Sequence, residues 1–281
     1  MFRRTDAAIS PTALYTGTVW RRNGLSHPAF ATFAGSALWT GLVGPRRAAS
    51  LFGAPDLDAM LLARHHSIDT LLEKAIDAGE ISQVVEIASG LSPRGWRFAS
   101  RHGSDLTYIE TDLPEMTRRK EDLLSRAGLM GPGHRVRVLD AFEPSGPNSL
   151  DVLANELDPE QGTAVITEGL INYFPMSDVR TLWNSVGAAL HRFPRGLYLS
   201  DIHLDQFPDA VTATAKVLIT AFVRGNVYSH FDTEQDAINA LRESGFDDAE
   251  LMLPSTFEGV DVRSGVDRNH IVRATVGPKD T

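Results

Sequence analysis

The 281-residue chain contains no cysteine. That absence excludes disulfides, thiolate zinc sites and a cysteine nucleophile, and it fits a reducing cytoplasm. No stretch approaches the roughly 20 apolar residues that a membrane span requires. The opening MFRRTDAAIS lacks the apolar core of a secretory signal, so no membrane is expected as a partner. Basic residues are scarce: 27 Lys and Arg against 36 Asp and Glu give a formal charge of −9, which argues against nucleic acid as a partner. H-E-x-x-H, P-loop and G-x-S-x-G motifs are missing, as are internal repeats and low-complexity tracts. What is present is a 42% hydrophobic content, enough for one large domain or a domain with a cap.

The most informative stretch is QVVEIASGLSPRG, residues 83–95. An apolar run (Val84, Val85, Ile87) ends in a turn of small residues (Ala88, Ser89, Gly90). Ser92 and Pro93 then read as the cap and first position of a helix. Strand, tight turn and helix N-terminus together place backbone N–H groups against a nucleotide-like ligand. Glu86 beside the turn disfavours a phosphate and favours a cationic ligand. The dinucleotide fingerprint G-x-G-x-x-G is not met, because its early positions are Ala88 and Gly90.

From residue 83 onward the pattern alternates. Strands are expected at 84–88, 106–110, 135–139, 163–167 and 196–201, with helices near 94–101, 116–127, 150–157 and 177–192 between them. The last helix shows Val179, Leu182, Trp183, Val186 and Leu190 at helical spacing behind Ser177. Short strands separated by helices predict an α/β fold with a Rossmann-like, doubly wound and mostly parallel sheet. A helix at 234–244 followed by strands at 250–253 and 270–276 predicts an antiparallel C-terminal edge. Residues 1–80 break the alternation and read as a helical N-terminal cap, ending in a long helix over 57–78. Residues 81–281 form the second domain. Within it, residues 205–232 form an insertion that reads either as a surface helix or as a substrate lid. Trp20, Phe30, Phe33 and Trp39 in the cap could pack internally, line a pocket or meet a second copy in a homodimer.

Every expected parallel strand carries an acid near its C-terminal end: Glu86, Asp112, Asp140, Glu168 and Asp201. Ligands of open parallel sheets bind at that edge. A ring of like charges there calls for a cationic or hydroxyl-rich partner. On the 57–78 helix, Arg64 falls in the middle of the apolar stripe of Leu57, Leu61, Ile68, Leu72 and Ala75. It must pair with a strand-end acid or clamp a ligand carboxylate.

These residues resemble the leucine carboxyl methyltransferase family of class I S-adenosylmethionine-dependent methyltransferases, which includes polyketide-tailoring O-methyltransferases. Four motifs carry the resemblance: LLARHHSID (61–69), VVEIASGLSPRGWRF (84–98), YIETDLPEMTRRK (108–120) and ITEGLINYFP (166–175). It implies S-adenosylmethionine as cofactor, held by Arg64 through its carboxylate, by Glu86 and Gly90 at the turn, by Asp112, by Asp140 with Ala141 on the adenine side, and by Glu168. Ala88 stands where such loops often have glycine. Residues 12–30 and 205–232 do not match the protein-phosphatase-directed branch, so a small-molecule acceptor is expected, methylated at a carboxylate or hydroxyl oxygen. Methylation of nitrogen, and a non-catalytic regulatory protein that keeps the cofactor pocket, are the alternatives.

In-line transfer from a sulfonium needs alignment and exclusion of water, and a base only when the acceptor carries a proton. Asp201 and His203, two apart on an extended segment, are the candidate base pair. Asn172 and Tyr173 lie where an acceptor would approach. His65 and His66 are adjacent on a helix and cannot turn both rings to one ion, so transfer without a metal is expected.

Overall fold

A computed structural model describes residues 11–51, 54–204, 228–263 and 265–277. Seven strands form one sheet: β1 (Gln83–Ile87), β2 (Thr107–Asp112), β3 (His134–Val138), β4 (Thr163–Thr167), β5 (Gly196–His203), β6 (Asp248–Met252) and β7 (Asn269–Val276). Their order is β3-β2-β1-β4-β5-β7-β6. The first five pair in parallel, and β7 runs antiparallel between β5 and β6. The parallel sheet with an antiparallel edge is thus as the pattern implied. β1 and β4 are buried at every position, which is why they read as near-continuous apolar runs rather than as alternation.

The helices among the described residues are α1 (Pro11–Arg22), α2 (Phe33–Ser50), α3 (Leu57–Asp77), α4 (Arg94–His102), α5 (Pro114–Arg126), α6 (Leu150–Ala154), α7 (Met176–Leu190) and α8 (Glu234–Glu243). On one face of the sheet, Leu153, Trp183, Val186 and Leu241 of α6, α7 and α8 pack against Val85, Val165, Tyr198 and Val272. On the other, Ile68 and Leu72 of α3 and Phe98 of α4 cover Val84, Tyr108, Ile166 and Leu199. Each fully buried Leu or Ile of these faces contributes about 1.5–3 kcal/mol.

Most expected boundaries fall within two residues of the observed ones. Local caps account for the differences. Helix α7 starts at Met176 with Pro175 at its cap position, one residue before the expected Ser177. Helix α4 starts at Arg94, and Ser92 acts one position early, its Oγ accepting from the Arg94 N–H at 3.3 Å. Helix α6 closes at Ala154, short of the expected residue 157. Helix α3 begins where Asp56 Oδ1 accepts from the Ala59 N–H at 3.1 Å, and it ends before Gly79, whose φ is +72°. Helix α3, just before residue 80, forms part of the layer over the sheet.

Helix α1 packs on α2 and on the turn after β1. A Cβ on Gly17 would lie 3.1 Å from Leu91 Cβ, and one on Gly90 would lie 3.3 Å from Ala13 Cβ. Trp20 and Phe30 are buried in this region, whereas Phe33 is 91% exposed. The insertion's residues 205–227 lie outside the described residues. Its C-terminal end is tied down: Phe231 bridges to Leu204 and stacks on Trp183 at 6.2 Å between ring centroids.

Candidate functional site

The chain crosses from one side of the sheet to the other between β1 and β4, and the turns there carry the expected residues. The β1 turn is tightly held. Ala88 has φ +54°, in the left-handed region that costs a non-glycine residue on the order of 1 kcal/mol. Ser89 donates its N–H to Thr111 O at 2.9 Å, and Ser92 donates to Ser89 O at 2.8 Å. Gly90, φ +50°, donates its N–H to Asp112 Oδ2 at 2.8 Å. The other oxygen, Asp112 Oδ1, accepts from the Leu113 N–H at 2.8 Å. No cation pairs with Asp112 among the described residues. Burial pushes its pKa above the usual aspartate value, opposed by the two N–H bonds and by the nearby Lys120 charge. Asp140 is held in the same manner, its Oδ1 accepting from Phe142 N at 3.0 Å. Ala141 packs against the apolar core, and Phe142 meets Phe174 at 4.2 Å between ring centroids.

The other acids are committed inside the protein. Side chains alternate along a strand, so Glu86 shares a face with Val84, and the register sets it beside Glu110. That face is covered by α3 and α4. Glu86 is 1% exposed; Arg94 donates to its Oε1 at 2.8 Å and the Tyr108 hydroxyl donates to its Oε2 at 2.8 Å. This corrects the expectation that Glu86 faces a ligand. Its geometric cause is that Glu86 leaves the strand toward the helix layer rather than beyond the strand end.

Glu168 is the hub of the same layer. Its Oε1 accepts from Arg64 Nε at 3.1 Å; its Oε2 lies 2.7 Å from Arg94 Nη2 and 2.8 Å from His65 Nδ1. Asp201 accepts from Arg64 Nη1 at 3.1 Å and from the Gly169 N–H at 2.6 Å. Arg94 also donates to Asp69 Oδ1 at 2.5 Å. Burial works against the charges of Glu168, Arg64, Arg94 and Asp69, and their partners outweigh it. His65, Arg94 and Arg64 hold Glu168 well below the usual glutamate range, while Asp201 and Glu168 raise Arg64. A second buried cluster lies under the β1 turn. Lys120 reaches Glu110 Oε1 at 2.5 Å and Ser89 Oγ at 3.1 Å, and His134 Nε2 lies 2.7 Å from Glu110 Oε2.

The proposed catalytic residues sort differently from their expected roles. Asp201 and His203 form no hydrogen-bonded pair: both Asp201 oxygens are taken as described, and His203 Nδ1 faces Arg268 O at 3.2 Å. Asn172 is a fastener. Its Nδ2 donates to Tyr228 O at 2.6 Å, and its Oδ1 accepts from the His203 N–H at 3.2 Å. Tyr173 is half-buried near Arg64 and Asp201, and desolvation raises its pKa. A cleft of about 550 Å³ opens elsewhere, between the end of α1, the outer face of α3 and residues 259–263; none of the strand-end acids lines it.

Two buried cations, Arg94 and Lys120, are what the sequence pattern left unread. Arg94 sits in the first helical turn, where the helix dipole disfavours a cation, and that mismatch was a readable sign of buried acidic partners. Lys120 lies on the buried stripe of α5 with Met116, Thr117 and Leu124, the same argument that singles out Arg64 on α3.

The residues present fit a hydroxyl-rich ligand bearing a carboxylate. Asp112 uses one lone pair of each oxygen on backbone N–H groups and keeps the others for donors such as vicinal hydroxyls. Arg64 commits Nε and Nη1 to Glu168 and Asp201, and its Nη2 makes no hydrogen bond among the described residues.

The leucine carboxyl methyltransferase family matches residues 32–187, more than half of the chain. A Mycobacteroides abscessus protein, provisionally named as an S-adenosyl-L-methionine-dependent methyltransferase, is 33% identical over 125 residues, covering 44% of this chain and 40% of that protein. A Frankia alni protein of the same provisional name is 30% identical over 162 residues, covering 57% and 54%. The match thus spans 40% to 54% of the length of these two curated relatives. A crystal structure of a provisionally named methyltransferase from Thermobifida fusca superimposes with a TM-score of 0.66 at 14% identity, covering 97% of both chains. A DUF574 family protein from Streptomyces avermitilis superimposes with a TM-score of 0.64 at 13% identity, covering 98% of this chain and all of that one. At such identities the likeness concerns the fold alone.

Proposed function

The chain belongs to the leucine carboxyl methyltransferase family, and on that premise we propose that it is an S-adenosylmethionine-dependent methyltransferase acting on a carboxylate or hydroxyl oxygen of a small molecule. The observation that carries the proposal is Asp112. It stands at the end of β2, is fixed by the Gly90 N–H of the β1 turn, and has no cation partner among the described residues. A partly buried carboxylate left without a cation favours a ligand that completes its hydrogen bonds. The cofactor's ribose diol supplies two donors suited to it.

When bound, the cofactor supplies an electrophilic methyl group with a neutral thioether as its leaving group. The protein's share is to bind, orient and exclude water. Gly90, lacking a side chain, lets helix α1 close over the turn, where a Cβ would lie 3.3 Å from Ala13 Cβ. Asp140, anchored by Phe142 N, offers its remaining lone pairs to an exocyclic amine. Arg64 is fixed in its plane by Glu168 and Asp201, and its Nη2 would be the group to hold the donor's carboxylate. Helix α1, packed on Gly90 and Leu91, shields the turn from water.

Calorimetric titration with S-adenosylmethionine and S-adenosylhomocysteine tests this function. Micromolar dissociation constants, about −8 kcal/mol, are expected for both. No heat of binding at millimolar ligand would refute it.

A further inference from the structure

We infer that His203 Nε2 accepts the proton of a hydroxyl acceptor, so that the oxygen methylated is that of a phenol or alcohol and not of a carboxylate. The inference rests on the methyl-transfer reading and narrows its substrate class. The geometry is specific. His203 closes β5, and its Nδ1 lies 3.2 Å from the Arg268 carbonyl oxygen. A carbonyl oxygen can only accept, so Nδ1 carries the hydrogen, and the neutral ring leaves Nε2 with a bare lone pair. Nε2 makes no hydrogen bond among the described residues.

The residue's backbone is pinned as well. The His203 N–H donates to Asn172 Oδ1 at 3.2 Å, and Asn172 is fixed in turn by its Nδ2 bond to Tyr228 O at 2.6 Å. Asn172 is therefore a positioning residue for the ring. The charged and titratable groups that face His203 are Asp201 on its own strand, Arg64 on α3 and His270 on β7. Burial is the largest influence and holds the histidine pKa below its usual value. Asp201 and the Arg268 carbonyl work in the opposite direction, and Arg64 and His270 reinforce burial. The ring is neutral at pH 7.

His230 is the rival. Its Nε2 faces Ile171 O at 3.2 Å, which leaves Nδ1 bare. Burial lowers its pKa too, but no charged group among the described residues acts on it. His203 feels Asp201 and Arg64, and so lies at the end of the sheet where Arg64 would hold the donor's carboxylate. An ionised carboxylate acceptor gains nothing from a neutral base, whereas a phenol or alcohol must lose its proton. In the transfer, that proton passes to Nε2 while the oxygen bonds the methyl carbon. The carbon–sulfur bond breaks with its electron pair kept by sulfur, and the imidazolium later returns the proton to water.

Nitrogen-15 NMR of the full chain, with the His203 ring assigned by its loss in His203→Gln, reads the tautomer without any acceptor. A ring protonated at Nδ1 and bare at Nε2 at pH 7.5 is expected; an Nε2–H tautomer or an imidazolium would overturn the inference. A second arm supplies S-adenosylmethionine with catechol, 4-nitrophenol and 2-naphthol against benzoate and phenylacetate. Methylation of at least one hydroxyl compound is expected. His203→Gln should lower it about 100-fold, leave S-adenosylhomocysteine affinity within about twofold, and recover activity with added imidazole. Methylation of the carboxylates only, of none of the five, or undiminished activity in the variant would overturn the inference. Failure of the wild type to bind S-adenosylhomocysteine would instead remove the cofactor reading, and the tautomer result would stand separately.

Discussion

Glu168 and Asp112 are both acids at the C-terminal end of a parallel strand, yet their surroundings are opposite. Glu168 touches Arg64, Arg94 and His65. Asp112 touches two backbone N–H groups and no cation among the described residues. The pKa values follow: partner cations hold Glu168 down, and burial pushes Asp112 up. An acid at a strand end can thus be a keystone of the fold or an open acceptor for a ligand. Cations on the covering helices decide which it is.

The largest expected effect lies on the paired side. Arg94→Met leaves Asp69, Glu86 and Glu168 facing one another in a buried layer, and losing one partner of a buried network costs about 3–5 kcal/mol. Thermal unfolding should fall by on the order of 10 °C. A loss of under 2 °C would show that these acids do not depend on Arg94.

Packing beside the same layer gives the next effect. A Cβ on Gly95 would sit 2.8 Å from Glu110 Oε1 and closer still to its Cδ. Gly95→Ala should destabilise by about 1–3 kcal/mol through overpacking, measured by urea unfolding.

The comparison also sets a pH window. Asp112 has a raised pKa, so its ionised form is lost first as pH falls. Glu168, Asp69 and Glu110 have lowered values. Their stability contribution is present above the unfolded carboxylate pKa and is lost only as pH falls through their depressed folded values. On acidification, affinity for S-adenosylhomocysteine should therefore drop, by up to about tenfold per pH unit, while circular dichroism still reports a folded chain. Unfolding that precedes the loss of affinity would break the contrast.

The smallest effect is a gain. Ala88→Gly relieves the left-handed backbone at φ +54° and should stabilise by up to about 1 kcal/mol. An unchanged unfolding midpoint would show that the turn is not strained there.

The sheet was legible because buried parallel strands and amphipathic helices leave strong periodic signals, as at 84–88 and 177–192. Arg64 was legible for the same reason, as a cation inside an apolar stripe. Glu86 was misplaced because proximity to a strand end says nothing about which face a side chain leaves. That depends on alternation relative to the covering helices, which place Arg94 against it, while Tyr108 reaches it from the neighbouring strand β2. The Asp201–His203 pairing failed because two-residue spacing brings side chains to one side without joining them, and Arg64 and the Gly169 N–H, distant in sequence, claim the acid. The fastening role of Asn172 was invisible because its partners, Tyr228 and His203, come from segments far apart in the chain.

The most direct test compares Asp112→Asn with Glu86→Gln by calorimetric titration of S-adenosylhomocysteine, alongside thermal unfolding. Asp112→Asn should unfold within a few degrees of the wild type and bind at least about tenfold more weakly, the loss of about 1.4 kcal/mol expected for one charge-assisted hydrogen bond. Glu86→Gln should unfold at a lower temperature and bind with wild-type affinity. The reverse pattern, with weakened binding in Glu86→Gln and unchanged binding in Asp112→Asn, would contradict the division between paired and open acids.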